Sequence, residues 1–238
     1  MKKSPQKRRQ PVKPSSRKGR PASVVKLYGP KSPVAALAKE PANHRERQQQ
    51  TLERLLVKAG LKLFAEHGYD GTSIKDIAKA VGISSRTFFR YFPSKEDLLF
   101  SGSYDGGKAA IIELKHRPAS ETVMQAMKGA FMVLSQRCDE TREMTLRRVR
   151  VIYGSPTLRA AQQYDLVRWE QKYTETIREV RGLPEQESFQ IGLQVSIAAS
   201  IFVAAFDAWQ ADPQERTMVY WLDEAFHIAE GSFAARPA

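Results

Sequence analysis

The side chains best suited to recognition chemistry in this 238-residue chain lie close together between positions 72 and 95. Ser84-Ser85-Arg86-Thr87 puts three hydroxyls and a guanidinium fork into four consecutive residues, and Thr72, Lys75, Phe89, Tyr91 and Lys95 flank them. Short hydroxyls and an arginine fork are the groups that read base edges, whereas lysines and aromatic tips meet sugar and phosphate. Such groups are useful only if short, well-defined elements hold them at fixed angles.

The sequence supplies those elements. Apolar residues at 52, 55, 56, 59, 63 and 64 repeat with helical spacing, and the helix should end at His67-Gly68. Ser73-Ile74-Lys75-Asp76 reads as a capping box opening a short helix with Ile74, Ile77, Ala78 and Val81 facing inward. Gly82 permits a tight turn, and Ser84 can cap a third helix expected to run through Phe92 and to stop at Pro93. Ser94-Lys95-Glu96-Asp97 is a second capping box, opening a fourth helix with Leu98, Leu99 and Phe100. Two short helices joined at a glycine form a helix-turn-helix, which sets the N-terminal half of its second helix into a DNA major groove. Phe88 and Phe92, spaced i and i+4, read as core. Phe89 and Tyr91 fall on other faces, and the fourth helix offers its first amides and Lys95 to a phosphate.

The run Gly68-Tyr69-Asp70-Gly71-Thr72-Ser73-Ile74-Lys75-Asp76-Ile77-Ala78, then Val81-Gly82-Ile83-Ser84, then Thr87 through Leu99, resembles the N-terminal domain of the TetR family of transcriptional repressors. The resemblance implies that Lys75, Arg86 and Thr87 reach base edges while Thr72, Phe89, Tyr91 and Lys95 hold the backbone. The family usually carries Tyr where Phe89 stands, so packing replaces a phosphate hydrogen bond there. A long cationic arm before the first helix is also more than the family requires.

That arm carries the whole charge excess. The chain has a net charge of +12, and residues 1 to 47 hold fourteen Lys and Arg against Glu40 and Glu46. Residues 1 to 44 are rich in Pro, Ser, Lys and Arg, so they are expected to stay disordered when free. The arm reads either as a solvated tail or as a phosphate-binding polycation. Arg17-Lys18-Gly19-Arg20-Pro21 resembles an AT-hook, whose arginine enters a narrow A·T minor groove.

Residues 45 to 100 are thus expected to form the DNA-binding unit, and residues 101 to 238 a second helical unit for ligand binding and dimerisation. No strand alternation is visible, so the fold class is all-α. Helices are expected over 121–137, 140–153, 156–181, 185–210 and 214–231, broken at Pro156, Gly182-Leu183-Pro184 and Asp212-Pro213. Asp105-Gly106-Gly107 is expected to interrupt the fourth helix, because each Gly costs about 1 kcal/mol there relative to Ala. The helix from Glu185 is apolar on nearly every side between Val195 and Phe206, which predicts burial all round. Met218, Trp221, Leu222, Ala225 and Ala229 form a stripe on the last helix. Together the pair suggests a homodimer interface, and the resembled family builds a four-helix bundle from its last two helices across a two-fold axis.

Tyr104, Phe131, Met132, Ile152, Trp169, Tyr173, Phe202 and Phe206 are candidates for the bundle interior or for an adaptable ligand cavity. The resemblance implies a small hydrophobic effector there. Leu146 through Pro156 with Trp169-Glu170 is similar to an actinobacterial subset associated with acyl-CoA ligands. Three arginines in four residues could meet its phosphates or form a solvated face.

Other functions find little support. The histidines at 44, 67, 116 and 227 pair with no nucleophile motif, and no metal-ligand spacing or phosphate-binding glycine loop is present, so no catalytic residue, metal or cofactor is expected. The single Cys138 excludes an intramolecular disulfide scaffold. The apolar run Val195–Phe206 is short for a membrane span, and the location expected is cytoplasmic. Two readings remain: a dimeric repressor that leaves a palindromic operator on binding its effector, and an architectural DNA binder led by the arm.

Overall fold

The computed structural model describes residues 44 to 234, without the side chains of 45, 46, 103, 104, 233 and 234. These residues form nine α-helices and no strand: α1 His44–His67, α2 Ile74–Val81, α3 Ser85–Phe89, α4 Lys95–His116, α5 Val123–Glu140, α6 Arg142–Tyr153, α7 Pro156–Val180, α8 Ser188–Ala211 and α9 Met218–Ala234. A 3-10 turn, Glu185–Glu187, precedes α8. The expectations for the arm, and for the side chain of Tyr104, lie outside the described residues.

Local chemistry explains the ends of α2, α3 and α4. Ser73 accepts from the Asp76 amide while the Asp76 carboxylate accepts from the Ser73 amide, closing the capping box. At the other end of α2, Gly82 turns left-handed, with φ of 75°, and its amide reaches the carbonyls of Ala78 and Lys79. Ser84 caps α3 through the Thr87 amide and Ser94 caps α4 through the Asp97 amide. Helix α3 is shorter than expected. After Phe89 the chain continues in tighter turns, with Arg90 and Tyr91 amides bonding back three residues, before Pro93.

Leu56, Leu61 and Phe64 of α1, Ile77 and Ala78 of α2, Phe88 and Phe92, and Leu98, Leu99 and Phe100 of α4 share one core. Burying each large side chain there contributes about 1.5–3 kcal/mol. Val151 and Ile152 of α6 and Leu158 of α7 complete the same core, so the helix-turn-helix is seated on the second unit rather than tethered to it. Helix α4 crosses from one to the other without interruption through Asp105-Gly106-Gly107, contrary to expectation. The reason is steric: a Cβ at Gly107 would fall inside the Trp169 indole, so the glycine serves a close helix–helix approach.

In the second unit, α4, α5, α7, α8 and α9 pack around Ala110, Met127, Ala130, Phe131, Tyr173, Val195, Ala198, Trp209, Leu222 and Phe226. Burial of α8 all round is not what the structure has. Ile191, Val195, Ala198, Ala205 and Trp209 face inward, whereas Phe189 is 82% exposed and Leu193 and Val203 are exposed. Glu185–Ala211 is long and apolar enough by composition to cross a membrane. A count of consecutive apolar residues misses this, because Gln190, Gln194, Ser196 and Ser200 punctuate the helix. Core helices of globular proteins share that composition, and here its apolar residues divide between the bundle interior and one uncovered face. The α8–α9 corner is fixed by Asp212, whose carboxylate accepts from the Gln214 and Arg216 amides, the Arg216 guanidinium and the Trp221 indole.

Candidate nucleic-acid interface and effector core

Helix α3 presents Arg86 and Phe89 to solvent, followed by the exposed Arg90, with Ser85 and Thr87 half-buried beside them. Residues 84 to 90 contain no acid, so the segment itself carries no charge that repels a phosphate chain. Lys75 and Lys79 are exposed on α2, adding positive charge to the helix-turn-helix. Phe88 is fully buried and meets Phe89 edge-on at 5.9 Å, which fixes the exposed Phe89 ring. Arg90 lies over the Tyr91 ring at 5.3 Å and donates to its hydroxyl at 3.5 Å, a pairing that holds both groups at one edge of the helix.

Three of the expected contact residues also make hydrogen bonds within the protein. Thr72 is 2% exposed, and its hydroxyl donates to the Gly68 carbonyl at 2.8 Å, so it ties the α1–α2 turn and is not offered to a phosphate. The Lys95 ammonium donates to the carbonyls of Tyr69, at 2.8 Å, and Thr72, at 3.3 Å, and sits 4.1 Å from the Tyr69 ring centre. It fastens α4 to that same turn, leaving one of its three N–H bonds for other use. Ser84 shares its hydroxyl with the Thr87 amide and the Thr87 hydroxyl at 3.0 Å, so it acts as a cap. Tyr69, not among the expected residues, is the hub of this joint. Burial and the neighbouring Glu96 carboxylate hold its phenol protonated far above the ordinary range.

In the second unit, Phe131 lies 4.8 Å from Phe202 and 6.0 Å from Tyr173, which stacks on Trp169 at 6.0 Å. Phe202 stacks on Phe206, which meets Trp209 at 5.4 Å. Five of the expected ligand residues therefore form one continuous aromatic cluster across α5, α7 and α8. Trp209 was missed, although its position seven residues after Phe202 puts it on the same face of α8. Its indole N–H is buried without a partner, a polar donor left open inside an apolar cluster. Met132 is buried on α5. Ile152 does not join the cluster: it packs with Leu56, Phe88 and Leu99 in the shared core. A groove of about 410 Å3 lies elsewhere, between α7 and α8, lined by Val167, Glu170, Thr174, Arg178, Gly192 and Ser196 among others. Ser196 donates to Glu170 across that groove at 2.6 Å.

Of the three clustered arginines, Arg147 pairs with Glu143 on its own helix at 2.5 Å, Arg150 is exposed, and only Arg148 turns toward α4. His116, expected in a loop, closes α4 and contacts the Ile112 carbonyl. Among the described residues no group of three or more His, Cys, Asp or Glu side chains is arranged to hold a metal.

Residues 56–101 match the family described as bacterial regulatory proteins, tetR family, and residues 121–234 match the MftR C-terminal domain family. The chain is 39% identical over 87 residues to the HTH-type transcriptional regulator TcmR of Streptomyces glaucescens, covering 37% of this chain and 38% of that protein. The chain thus spans well under two thirds of the length of such curated relatives. Its fold is similar to that of FadR of Thermus thermophilus, a TetR-family repressor solved with lauroyl-CoA, at a TM-score of 0.50 and 20% identity over 78% of this chain and 97% of that one. It is likewise similar to the fatty acid degradation regulator FadR of Bacillus halodurans, at a TM-score of 0.52 and 18% identity, with 78% and 97% covered. TetR-family proteins are DNA-binding regulators and not enzymes. With the acid-free α3 face, its capped supports and an aromatic core behind them, these matches identify the chain as a TetR-family transcriptional regulator.

Proposed function

We propose that the protein is a homodimeric repressor that binds a palindromic operator in the cytoplasm and releases it on taking up a small hydrophobic effector, an acyl-CoA being the first candidate. The observation that carries dimerisation is the uncovered apolar face of α8 and α9: Phe189, Leu193, Val203, Tyr220 and Ile228 are exposed in the single chain. Exposed large apolar residues gathered on two neighbouring helices ordinarily mark an interface, and a two-fold pair would present two α3 helices to half-sites about one DNA turn apart. Lys75, Ser85, Arg86 and Thr87 are the base-reading candidates, with Phe89 and Tyr91 on the backbone. Phe131, Trp169, Tyr173, Phe202 and Phe206 would line the effector site, a role supported by their contiguity. The acyl-CoA assignment draws on the lauroyl-CoA bound to the Thermus regulator.

The test is to incubate the full chain with fragmented genomic DNA at moderate salt, sequence the bound fragments, and repeat with lauroyl-CoA. A few fragments sharing a palindrome, lost on adding lauroyl-CoA, is the expected result. Uniform recovery, or enrichment for A·T content alone, would instead favour an architectural role led by the +12 charge of residues 1 to 47.

A further inference from the structure

Arg148 stands apart from the other charged groups of the second unit. Its Nε donates to the Leu99 carbonyl of α4 at 2.7 Å. Its guanidinium occupies the space beside Gly102 that any side chain would fill, since a Cβ there would overlap the guanidinium itself. Desolvation is strong enough to lower the pKa of the guanidinium, the charged form being penalised by burial. The residue as a whole is half-buried, and a cation so placed is commonly paired with a carboxylate. Among the described residues no ion pair joins Arg148 to one; the neighbours that act on it are Cys138 and, less strongly, Asp105. Burial pushes the Cys138 thiol up to about 12, so it stays neutral and supplies no counter-charge. Asp139 is committed elsewhere, its carboxylate accepting from the Met218 and Val219 amides at the start of α9.

Position adds to chemistry. Gly102, against Arg148, and Gly107, against Trp169, are five residues apart on α4, or about 7.5 Å along its axis. At about 100° per residue the two contacts lie about 140° apart round α4, so one short stretch of helix meets the guanidinium on one face and the edge of the aromatic cluster on another.

We propose that Arg148 is the anchor for a negatively charged head group, so that the effector is an amphipathic anion with an apolar chain against Trp169, Tyr173, Phe131 and Phe202. This rests on the effector reading above and narrows it, because a neutral hydrophobic molecule would leave the guanidinium as it is. A carboxylate or phosphate would gain a charge-assisted bond and compete with the Leu99 carbonyl for the same side chain. Leu99 is fully buried in the core that carries α3, so the head group acts on the helix that supports DNA reading.

The experiment is isothermal titration of the full chain with laurate, with 1-dodecanol and with lauroyl-CoA, for the wild type and for Arg148→Met, Arg148→Lys and Gly102→Ala. The fold of each variant is checked by circular dichroism. Gly102→Ala keeps the charge and displaces it, so it serves if Arg148→Met does not fold. The wild type is expected to bind laurate about ten- to a hundredfold more tightly than dodecanol, the fold-change of one charged hydrogen bond. Arg148→Met and Gly102→Ala should shrink that preference to within about twofold, and Arg148→Lys should keep most of it. Binding of lauroyl-CoA but not laurate, weakened by the same variants, would also support the proposal and would identify the phosphates as the anion. Equal binding of laurate and dodecanol, or a preference unchanged in both Arg148→Met and Gly102→Ala, would overturn the anchor and leave a hydrophobic effector in place. Binding of none of the three probes would overturn the proposal and the acyl effector together.

Discussion

The indole of Trp169 lies directly against Gly107, on the helix whose N-terminal residues Leu98 to Phe100 are part of the core beneath the DNA-reading helix. Trp169 also stacks on Tyr173, which meets Phe131 edge-on, so the aromatic cluster touches α4 without an intervening side chain. Any molecule that separates these rings pushes on α4.

Gly107→Ala and Gly106→Ala should therefore part company. Ala gains about 1 kcal/mol over Gly in a helix interior. At Gly107 the new methyl would overlap Trp169, and overpacking of this kind costs about 1–3 kcal/mol. At Gly106 the nearest atom, of Leu134, is at an ordinary 3.7 Å. Thermal unfolding should show Gly106→Ala unchanged or more stable and Gly107→Ala less stable, with a shifted tryptophan emission. A stabilised Gly107→Ala with unchanged emission would contradict the contact.

Arg86→Ala and Lys95→Ala separate reading from holding. Arg86 is exposed on α3, so its loss should relax base preference at one position per half-site, costing about 1–3 kcal/mol for the preferred base. Lys95 donates to two carbonyls of the α1–α2 turn, so its loss should lower the melting temperature and weaken all sequences alike. Binding to a set of single-base operator variants, read with melting curves, distinguishes the two. Equal loss for every sequence with Arg86→Ala would remove it from the base-reading set.

The α8–α9 corner carries a pH signature. Its hydrogen bonds, foremost those from Arg216, hold the Asp212 carboxyl well below the usual carboxylate range. A depressed folded-state pKa means that its stabilisation is present above the unfolded value near 3.8 and is lost as pH falls through the folded value. Asp212→Asn should thus lower the melting temperature at pH 7, with the gap from wild type closing only below pH 3.8. A gap that is the same at pH 2 and pH 7 would show that the charge does not matter there.

Leu193→Glu tests the uncovered face of α8. Leu193 is exposed within one chain, so the substitution should leave helical content and monomer folding intact. It should yield a monomer by sedimentation and reduce operator affinity by at least about tenfold, because two half-sites are then bound independently. A dimer that persists would move the interface off this face.

Much of the DNA-binding unit was legible in the residues alone, because its signals are local. Ser73 with Asp76, the left-handed Gly82, Ser84 before α3 and Ser94 before α4 each act within four residues of themselves. Helical spacing likewise marked Phe88 and Phe92 as core. The aromatic residues of the second unit were legible as a set, but the set was imperfect: Ile152 belonged to the other core, and Trp209 was overlooked.

What the sequence determined by itself was the helical periodicity, the caps and the uneven charge, all properties of neighbouring residues. Tertiary structure decided which of these polar groups also bond within the protein. Thr72 and Lys95 have the right chemistry, yet Gly68, Tyr69 and their own turn claim them first. It also decided that α4 stays continuous at Gly106-Gly107, since the penalty for glycine in a helix is smaller than the gain from seating an indole against a bare backbone. The same holds for α8, which looked apolar on all sides: one chain supplies neighbours for only half of its circumference, and periodicity cannot say which half.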